Sequence, residues 1–188
     1  MQADIVAQKR ALRAAQKERR AAIGNEERAR ANAAICRTLA ANPAFLEADL
    51  LLAFYPMEQE VDLRALYALA LQQGKVIAFP RCVGTQMRFH CVTSLDALTK
   101  GRFGIMTPPE EAPVVTPTAH TLCLLPALAA TKDGARLGYG GGFYDRFLKQ
   151  HPCRTLLPIY HCLLLPQLPT EQTDIKAQTV ITEKGALH

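Results

Sequence analysis

The sequence lacks the patterns typical of disulfide-rich, zinc-binding, secreted and membrane proteins. Its six cysteines include no C-x-x-C pair, and several lie in apolar runs where thiols serve as small hydrophobes. The first thirty residues have no apolar secretory core, and no apolar run is long enough to span a bilayer. A mitochondrial transit peptide would fit the Arg- and Ala-rich start, although four acidic residues argue against one. We therefore expect a cytoplasmic protein without a membrane partner.

Aromatic residues are also scarce, at 6% of the chain, and none is interleaved with the basic residues near its start. Nucleic-acid-binding surfaces commonly stack bases on such aromatics, so binding of nucleic acid by a basic helix is kept only as an alternative. The net charge of +5 lies in the N-terminal fifth of the chain. Nine Lys and Arg stand against four Asp and Glu up to Arg37, and thirteen stand against thirteen after it. This asymmetry indicates an anionic partner near the first helix.

The length of the chain and the order of its apolar segments predict the fold. The 188 residues are 49% hydrophobic and show no repeat or interdomain linker, which predicts a single domain over 1–188. A basic helical segment, 1–41, is expected to pack on the rest of this domain. The protein is expected to be a monomer. The predicted helices cover about 4–23, 25–41, 62–73 and 143–149, with caps at Asn25 and Asp62 and Pro43 beyond the second helix.

Predicted strands alternate with these helices. They lie at Leu50–Tyr55, Val76–Phe79, Gln86–Val92 and Leu122–Leu125 and near Leu156 and Val180. A segment with four prolines, 103–117, is predicted to be a loop that could cover a pocket. The alternation predicts an α/β fold: a three-layer, Rossmann-like domain with a largely parallel sheet and N-terminal helices. Ligands of such sheets collect at the carboxyl ends of the strands.

A glycine-rich run precedes the last predicted helix. It reads RLGYGGGFYD, from Arg136 to Asp145. Glycines let backbone N–H groups approach a phosphate closely, and a helix N-terminus adds unpaired amides. Phe143 replaces the third glycine of a dinucleotide fingerprint, and the Gly-Lys-Ser/Thr of a P-loop is absent. A tight turn needs fewer glycines, so the run favours phosphate binding over a simple turn.

The same run, extended to Leu125-Pro126 on one side and Phe147-Leu148 on the other, closely resembles the signature of the 5-formyltetrahydrofolate cyclo-ligase family. Members are also called methenyltetrahydrofolate synthetases. The resemblance implies cyclisation of 5-formyltetrahydrofolate, with or without a polyglutamate tail, to 5,10-methenyltetrahydrofolate at the expense of MgATP. In that chemistry the formyl oxygen attacks the γ-phosphate, the N10 nitrogen attacks the activated carbon, and phosphate departs. No protein nucleophile is needed.

The resemblance assigns roles within the run. The implied ATP contacts are Arg136, Leu137, Gly138, Tyr139, Gly140, Gly141, Gly142, Phe143 and Tyr144. Arg136 and Tyr144 are the implied catalytic residues, and Arg136 would stabilise charge that develops during phosphoryl transfer. Asp145 is the implied Mg²⁺ ligand, although a carboxylate there also favours a helix N-terminus. Many relatives have Arg and Lys at Tyr139 and Gly141, and an acid that assists the metal in some relatives falls at Gln178.

Basic residues recur at helical spacing in the first helix, at Arg10, Arg13, Lys17 and Arg20. Charge patterning alone fits a solvated face equally well. The segment Lys9-Arg-Ala-Leu-Arg13 resembles the family's opening Lys-Arg-x-x-Arg, which implies nucleotide contacts from Lys9, Arg10 and Arg13. The field of Arg20 is expected to attract an acidic folate tail.

Two further segments carry the resemblance. Tyr55-Pro-Met-Glu-Gln-Glu60 follows a predicted strand, as in the family, which implies that Glu60 hydrogen-bonds the pterin and Tyr55 lines its pocket. A glutamate in such a loop is otherwise usually exposed. Phe103-Gly104-Ile105 resembles the family's aromatic turn, which implies that Phe103 packs on the folate, although loop aromatics are usually core anchors. The remaining alternatives are a phosphate-binding sugar-metabolism enzyme or an inactive paralogue of the same fold.

Two His-Cys pairs are interpreted as structural. They are His90-Cys91 and His161-Cys162. Neighbouring residues of a strand point to opposite faces of the sheet, and ligand spacing of the zinc type is missing.

Overall fold

The computed structural model describes residues 2–57, 59–101 and 104–187. Its helices are α1 Gln2–Ala21, α2 Asn25–Ala40, α3 Pro43–Leu46, α4 Arg64–Gln72 and α5 Phe143–Gln150, with 3₁₀ turns at Leu95–Ala97 and His161–Leu163. Its strands are β1 Leu50–Leu52, β2 Val76–Val83, β3 Gln86–Val92, β4 Thr99–Lys100, β5 Met106–Thr107, β6 Val114–Val115, β7 Thr121–Leu124, β8 Ala129–Ala130, β9 Arg136–Leu137, β10 Arg154–Pro158, β11 Thr179–Thr182 and β12 Gly185–Leu187.

An eight-stranded sheet forms the centre of the fold, in the order β12-β11-β10-β7-β1-β2-β3-β6. The inner strands β11, β10, β7, β1 and β2 are parallel to one another. Strand β12 at one edge, and β3 and β6 at the other, run antiparallel to their neighbours. Every residue of β1 and β7 is buried, as expected of parallel strands that are covered on both faces. The predicted α/β fold with a largely parallel sheet is confirmed, whereas the antiparallel edges were not predicted.

Aromatic packing shows how helices cover the two faces of the sheet. On one face, the Tyr67 ring of α4 meets Phe79 of β2 edge-on, with ring centroids 5.4 Å apart. The Tyr67 hydroxyl donates to the backbone carbonyl of Phe54 at 2.6 Å, just past the end of β1. On the other face, Phe147 of α5 packs against Phe89 of β3 at 4.9 Å between ring centroids. The three-layer arrangement is therefore set by large apolar side chains above and below the sheet.

The starts of three helices differ from the prediction. Gly24, rather than Asn25, is the N-cap of α2, and no side chain caps that helix. Leu63 is the N-cap of α4, because burial of its side chain in the core fixes where the helix begins. Asp62 lies one residue earlier and still accepts a hydrogen bond from the Arg64 N–H at 3.0 Å. Pro43 opens α3 instead of only ending the preceding helix.

The proline-rich segment folds back onto the β2–β3 hairpin. The Arg81 guanidinium donates to the Pro108 carbonyl at 3.1 Å, and Nδ1 of the buried His90 lies 2.7 Å from the Ala112 carbonyl. Within the described residues this segment also supplies β5 and β6, so it is more ordered than a simple loop. This contact attaches the His90 ring to the backbone of the proline-rich segment. No helix among the described residues is both long and apolar enough to cross a membrane.

Substitution of Gly134 tests whether close packing against the Ala177 backbone stabilises the β8–β9 hairpin. Its φ is 88°, and a side-chain carbon added there would lie 2.1 Å from the Ala177 carbonyl oxygen. We expect Gly134→Ala to lower the free energy of unfolding by about 1–2 kcal/mol for the left-handed backbone. Overpacking should add about 1–3 kcal/mol. Urea denaturation with Gly84→Ala as the control separates the two costs, because Gly84 has φ 59° and open space around it. Equal losses at both positions would contradict the close packing of Gly134.

Candidate active site

The glycine loop, residues 138–142, connects β9 to the N-terminus of α5. Gly140 and Gly142 have φ values of 98° and 63°, and Gly142 is the N-cap of α5. Glycine tolerates this left-handed backbone, which explains glycine at these two positions. At Gly141, a side-chain carbon would lie 2.7 Å from the Phe143 ring. The prediction of a loop that leads into a helix N-terminus is confirmed.

Arginines orient the backbone of this loop. The Gly138 carbonyl accepts a hydrogen bond from Arg13 Nε at 2.9 Å, and the Gly141 carbonyl accepts one from Arg146 Nη2 at 2.8 Å. The backbone N–H groups of 138–142 have no hydrogen-bond acceptor within the described part of the chain. Consecutive free N–H groups at a helix N-terminus can bind a phosphate or another anion. The loop therefore presents donors while its carbonyls are held by arginines.

Helix α1 packs a polar face against the rest of the protein. Lys9, Gln16 and Arg20 lie on that face and are only 7%, 5% and 7% exposed. Arg13 is half-buried on the same side, whereas Arg10 and Lys17 are exposed. The basic residues predicted as one group are thus divided between an inner and an outer face. The structure brings Lys9 and Arg13 inward but leaves Arg10 in solvent.

Lys9 is paired with two carboxylates of the segment that follows the second 3₁₀ turn. Its Nζ lies 2.7 Å from Glu171 Oε2 and 2.6 Å from Asp174 Oδ2. Burial acts to lower the pKa of Lys9, but the hydrogen bonds to Asp174 and Glu171 outweigh it, and the pKa is raised. Lys9 is therefore charged, and it must exchange these carboxylates to contact a nucleotide.

Arg136 and Asp145 form an ion pair beneath the loop. Arg136 Nη2 lies 2.6 Å from Asp145 Oδ1, and the Arg136 side chain is only 5% exposed. The Ile175 N–H donates to the same Asp145 oxygen at 3.0 Å, which places Asp174 next to this contact. Gln178 instead accepts a hydrogen bond from the Thr155 N–H of β10 at 3.0 Å, just before β11 begins. The acid next to this contact in the chain is Asp174, which the sequence analysis did not single out.

Glu60 is buried in a cluster with Arg20 and Tyr139, which we call the Glu60 cluster. Its Oε2 accepts a hydrogen bond from the Met57 N–H at 2.8 Å, and its Oε1 accepts one from the Tyr139 hydroxyl. Arg20 Nη1 lies 3.5 Å from the same Oε1 and 2.8 Å from the Tyr139 hydroxyl. Burial raises the pKa of the Glu60 carboxyl, and the hydrogen bonds from Tyr139 and Met57 and the Arg20 charge oppose that rise. The carboxylate is thus not the exposed loop glutamate that its position alone would suggest.

The aromatic residues that were predicted for the site do not lie in one cluster. Tyr55 is half-buried, with its ring centroid 6.3 Å from that of Phe79, on the strand-end segment that also carries Glu60. Tyr144 packs edge-on against Phe89 at 6.3 Å, and burial raises the pKa of its hydroxyl, which stays protonated as a donor. The Phe143 ring lies 5.1 Å from the Arg146 guanidinium carbon. Phe103 lies outside the described residues.

Buried polar atoms without partners occur on α1 and on both sides of the glycine loop in sequence. Among the described residues, four such atoms are Gln16 Oε1, Arg20 Nε, Arg136 Nε and the Tyr144 hydroxyl oxygen. Buried polar groups in folded proteins almost always have a hydrogen-bond partner. A ligand that reached these atoms would supply partners for them. Gln16 gave no signal in the sequence because a glutamine among basic residues fits any solvated helix.

No group of three or more His, Cys, Asp and Glu side chains in the described ranges is arranged to hold a metal ion by itself. Asp145 and Asp174 offer carboxylate oxygens, which suit Mg²⁺, an ion that is usually held by one or two carboxylates together with substrate phosphates.

The fold and the site define an α/β protein in which a polar face of α1 contacts a glycine loop that leads into the N-terminus of α5. Residues 5–183 match the model of the 5-formyltetrahydrofolate cyclo-ligase family, and the chain belongs to that family. It is therefore an enzyme of the cyclo-ligase class.

Two curated relatives illustrate the similarity in sequence. A 5-formyltetrahydrofolate cyclo-ligase of Mus musculus is 30% identical over 93% of each chain. One of Escherichia coli strain K12 is 26% identical over 88% of this chain and 95% of the relative.

Two solved structures are similar to this chain in fold. The NMR structure of the Aquifex aeolicus 5,10-methenyltetrahydrofolate synthetase has a TM-score of 0.84 and 30% identity, covering 96% of this chain and 92% of that one. A synthetase of Mycoplasma pneumoniae, at 19% identity and a TM-score of 0.75 over 93% of this chain and 98% of that one, shares the fold.

Substituting Arg20 tests whether the buried charges of the Glu60 cluster depend on each other. Arg20→Leu should lower the free energy of unfolding by about 3–5 kcal/mol, because Glu60 is left buried without a cation. Arg10→Leu on the exposed side of α1 is the control and should change it by no more than about 0.5 kcal/mol.

The decrease in the free energy of unfolding caused by Arg20→Leu should also depend on pH. A carboxyl whose pKa is raised by folding contributes stability below its unfolded pKa, here 4.5, and that stability is lost as the pH rises through the folded pKa. Urea denaturation should therefore show a larger loss for Arg20→Leu near pH 8 than near pH 5. A small, pH-independent loss, like that of Arg10→Leu, would contradict the pairing.

Proposed function

We propose that this enzyme catalyses the ATP-dependent cyclisation of 5-formyltetrahydrofolate to 5,10-methenyltetrahydrofolate, with ADP and phosphate as products. Membership of the cyclo-ligase family supports the reaction. The observation that carries the site is the run of backbone N–H groups at 138–142 that have no acceptor among the described residues, in a loop that Arg13 of α1 contacts at the Gly138 carbonyl. An anion as highly charged as a triphosphate matches both surfaces.

The chemistry requires positioning more than covalent catalysis. We infer that the formyl oxygen attacks the γ-phosphate, that the N10 nitrogen attacks the activated carbon, and that phosphate then leaves. The protein's part is to hold both ligands and to stabilise the charge that develops during phosphoryl transfer. The backbone donors of the glycine loop and the guanidinium groups of Arg13 and Arg136 suit that task.

Arg13, Arg136 and Lys9 are the proposed cationic contacts to the triphosphate. The Arg13 guanidinium lies against the loop, since a side-chain carbon on Gly140 would be 3.2 Å from Arg13 Cζ. Arg136 has its Nε free, and its Nη2 is held by Asp145. Lys9 would exchange Glu171 and Asp174 for phosphate oxygens. Arg10 is exposed on the flank of this face of α1, and its contact stays a prediction.

Mg²⁺ is the proposed metal, with Asp145 and Asp174 as the residues that would hold it beside the triphosphate. When bound, the ion would neutralise charge on the β- and γ-phosphate oxygens. Asp145 has one oxygen engaged by Arg136 and the Ile175 N–H. Its second oxygen has no hydrogen-bond partner within the described ranges, so it is free for a metal.

The Glu60 carboxylate is the proposed acceptor for pterin N–H groups, and Tyr55 is the proposed pocket wall. Both residues follow β1, at the carboxyl end of a central parallel strand, which is where ligands of such sheets bind. A buried carboxylate makes stronger and more selective hydrogen bonds than an exposed one. Phe103 stays a prediction for the same pocket.

We also propose that residues 1–188 act as a single cytoplasmic domain and that the partner is a folate rather than nucleic acid. The nucleic-acid alternative needed a solvated basic stripe, but Lys9, Arg13 and Arg20 contact other parts of the protein. Only Arg10 and Lys17 of the predicted stripe are left exposed.

Arg136→Lys tests the catalytic site. The wild type should form the methenyl chromophore only with both MgATP and 5-formyltetrahydrofolate. Because lysine cannot hold two phosphate oxygens in fixed geometry, Arg136→Lys should lose about tenfold or more in both kcat and kcat/KM. Arg154→Lys is the control, since Arg154 pairs with the exposed Glu47 on the surface. No product from the wild type would refute the function, and near-normal kcat in Arg136→Lys would leave Arg136 as a support of the loop.

Glu60→Gln tests the folate half of the site. Loss of a charge-assisted hydrogen bond should weaken 5-formyltetrahydrofolate binding by about 1.5–3 kcal/mol. Binding of an ATP analogue should change little. Isothermal titration calorimetry with each ligand in turn checks this, with Glu47→Gln at an exposed position as the control. Equal damage to the binding of both ligands would indicate misfolding or a misassigned residue.

A further inference from the structure

The Tyr139 side chain joins the glycine loop to Glu60, two segments that are 79 residues apart in the chain. Its hydroxyl donates to Glu60 Oε1 and accepts a hydrogen bond from Arg20 Nη1 at 2.8 Å. The Arg20 guanidinium carbon also lies 5.9 Å from the centroid of the Tyr139 ring. The loop that presents phosphate donors is thus fastened to the carboxylate that, under the proposed function, binds the pterin.

This closed arrangement leaves no room for a pterin at Glu60. One Glu60 oxygen is held by the Met57 N–H and the other by Tyr139 and Arg20, and the residue is only 7% exposed. The cavity beside the carboxylate, lined in part by Arg20, Glu60 and Tyr160, measures about 10 Å³. That volume suits one water molecule, whereas ligand pockets usually measure roughly 300–1,000 Å³. A folate must therefore break the Tyr139 contact to reach Glu60.

The chain around Tyr139 allows such a movement. Glycines stand on both sides of it, and Gly140 has a φ of 98°. Tyr139 is 38% exposed, so its ring is not locked in the core. The Gly138 carbonyl is anchored by Arg13, and α5 begins after Gly142. The side chain can leave Glu60 while the two ends of the loop keep their places.

We propose that Tyr139 is a latch that closes the glycine loop over Glu60 in the ligand-free enzyme and couples the two substrate sites. The proposal rests on the proposed function. Folate opens the latch by taking the place of Tyr139 on Glu60, which releases the loop to fit the phosphates. Whichever ligand binds first bears the cost of opening, so each ligand increases the affinity for the other by the same factor.

Tyr139→Phe tests the latch because it removes the hydroxyl and keeps the ring. Dissociation constants for 5-formyltetrahydrofolate would be measured by calorimetry, alone and with saturating magnesium and a non-hydrolysable ATP analogue. The affinity of the variant for folate alone should rise about tenfold or more, as expected when a competing hydrogen bond to a charged group is lost. The factor by which the analogue tightens folate binding should fall towards one.

Tyr160→Phe is the matched control. Its hydroxyl donates to the Glu60 backbone carbonyl at 3.0 Å, but it does not touch the carboxylate. That variant should keep the wild-type coupling factor even if it is less stable. Tyr139→Leu, which removes ring and hydroxyl together, should reproduce the effect of Tyr139→Phe, and thermal melting of each variant confirms that it is folded.

The outcomes separate the latch from the function on which it rests. Tighter folate binding with lost coupling in both Tyr139 variants supports the latch. Wild-type binding that Glu60→Gln weakens, together with unchanged or weaker binding in Tyr139→Phe and an unchanged coupling factor, overturns the latch alone. A wild type that binds no 5-formyltetrahydrofolate, or a Glu60→Gln variant that binds it normally, overturns both the latch and the proposed role of Glu60.

Discussion

Burial of charge along one side of α1 is the constraint on which the site depends. A buried cation is stable only when it is paired and hydrogen-bonded, so each cation on this face fixes another part of the chain. Lys9 holds the segment with Glu171 and Asp174, Arg13 holds the Gly138 carbonyl, and Arg20 holds the Glu60 cluster. The helix is thus attached by ionic and polar contacts rather than by an apolar stripe. The same cations are the ones that an anionic ligand would need.

The central strands and the helices could be predicted from the sequence because they depend on local patterns. Leu50–Leu52 and Thr121–Leu124 are almost wholly apolar, which is typical of strands covered on both faces, and the Asp62–Gln73 segment has the period of a helix. The two-residue strands of the β8–β9 hairpin carry no such pattern. The exact helix starts were also missed, since burial of Leu63 outweighed the capping preference of Asp62.

Part of the candidate site could likewise be predicted from the sequence, and part could not. The glycine loop could be predicted, because the left-handed backbone at Gly140 and Gly142 favours glycine and the number of glycines exceeds what a turn needs. The partners of its charges could not, because Lys9 and Asp174 are 165 residues apart and nothing in either segment encodes the pairing. Burial of Glu60 was missed for the same reason, since it comes from the approach of α1 and Tyr139. The role implied for Phe103 stays a prediction.

Hydrogen exchange measured by mass spectrometry tests most directly whether α1 and the glycine loop enclose the nucleotide. The full chain would be compared with and without magnesium and a non-hydrolysable ATP analogue, at a concentration that calorimetry shows to saturate the protein. Slower exchange is predicted in 138–144 and in 9–20, with no change in α4, which packs on β2 away from the loop. Bound nucleotide with unchanged exchange in both segments would contradict the account.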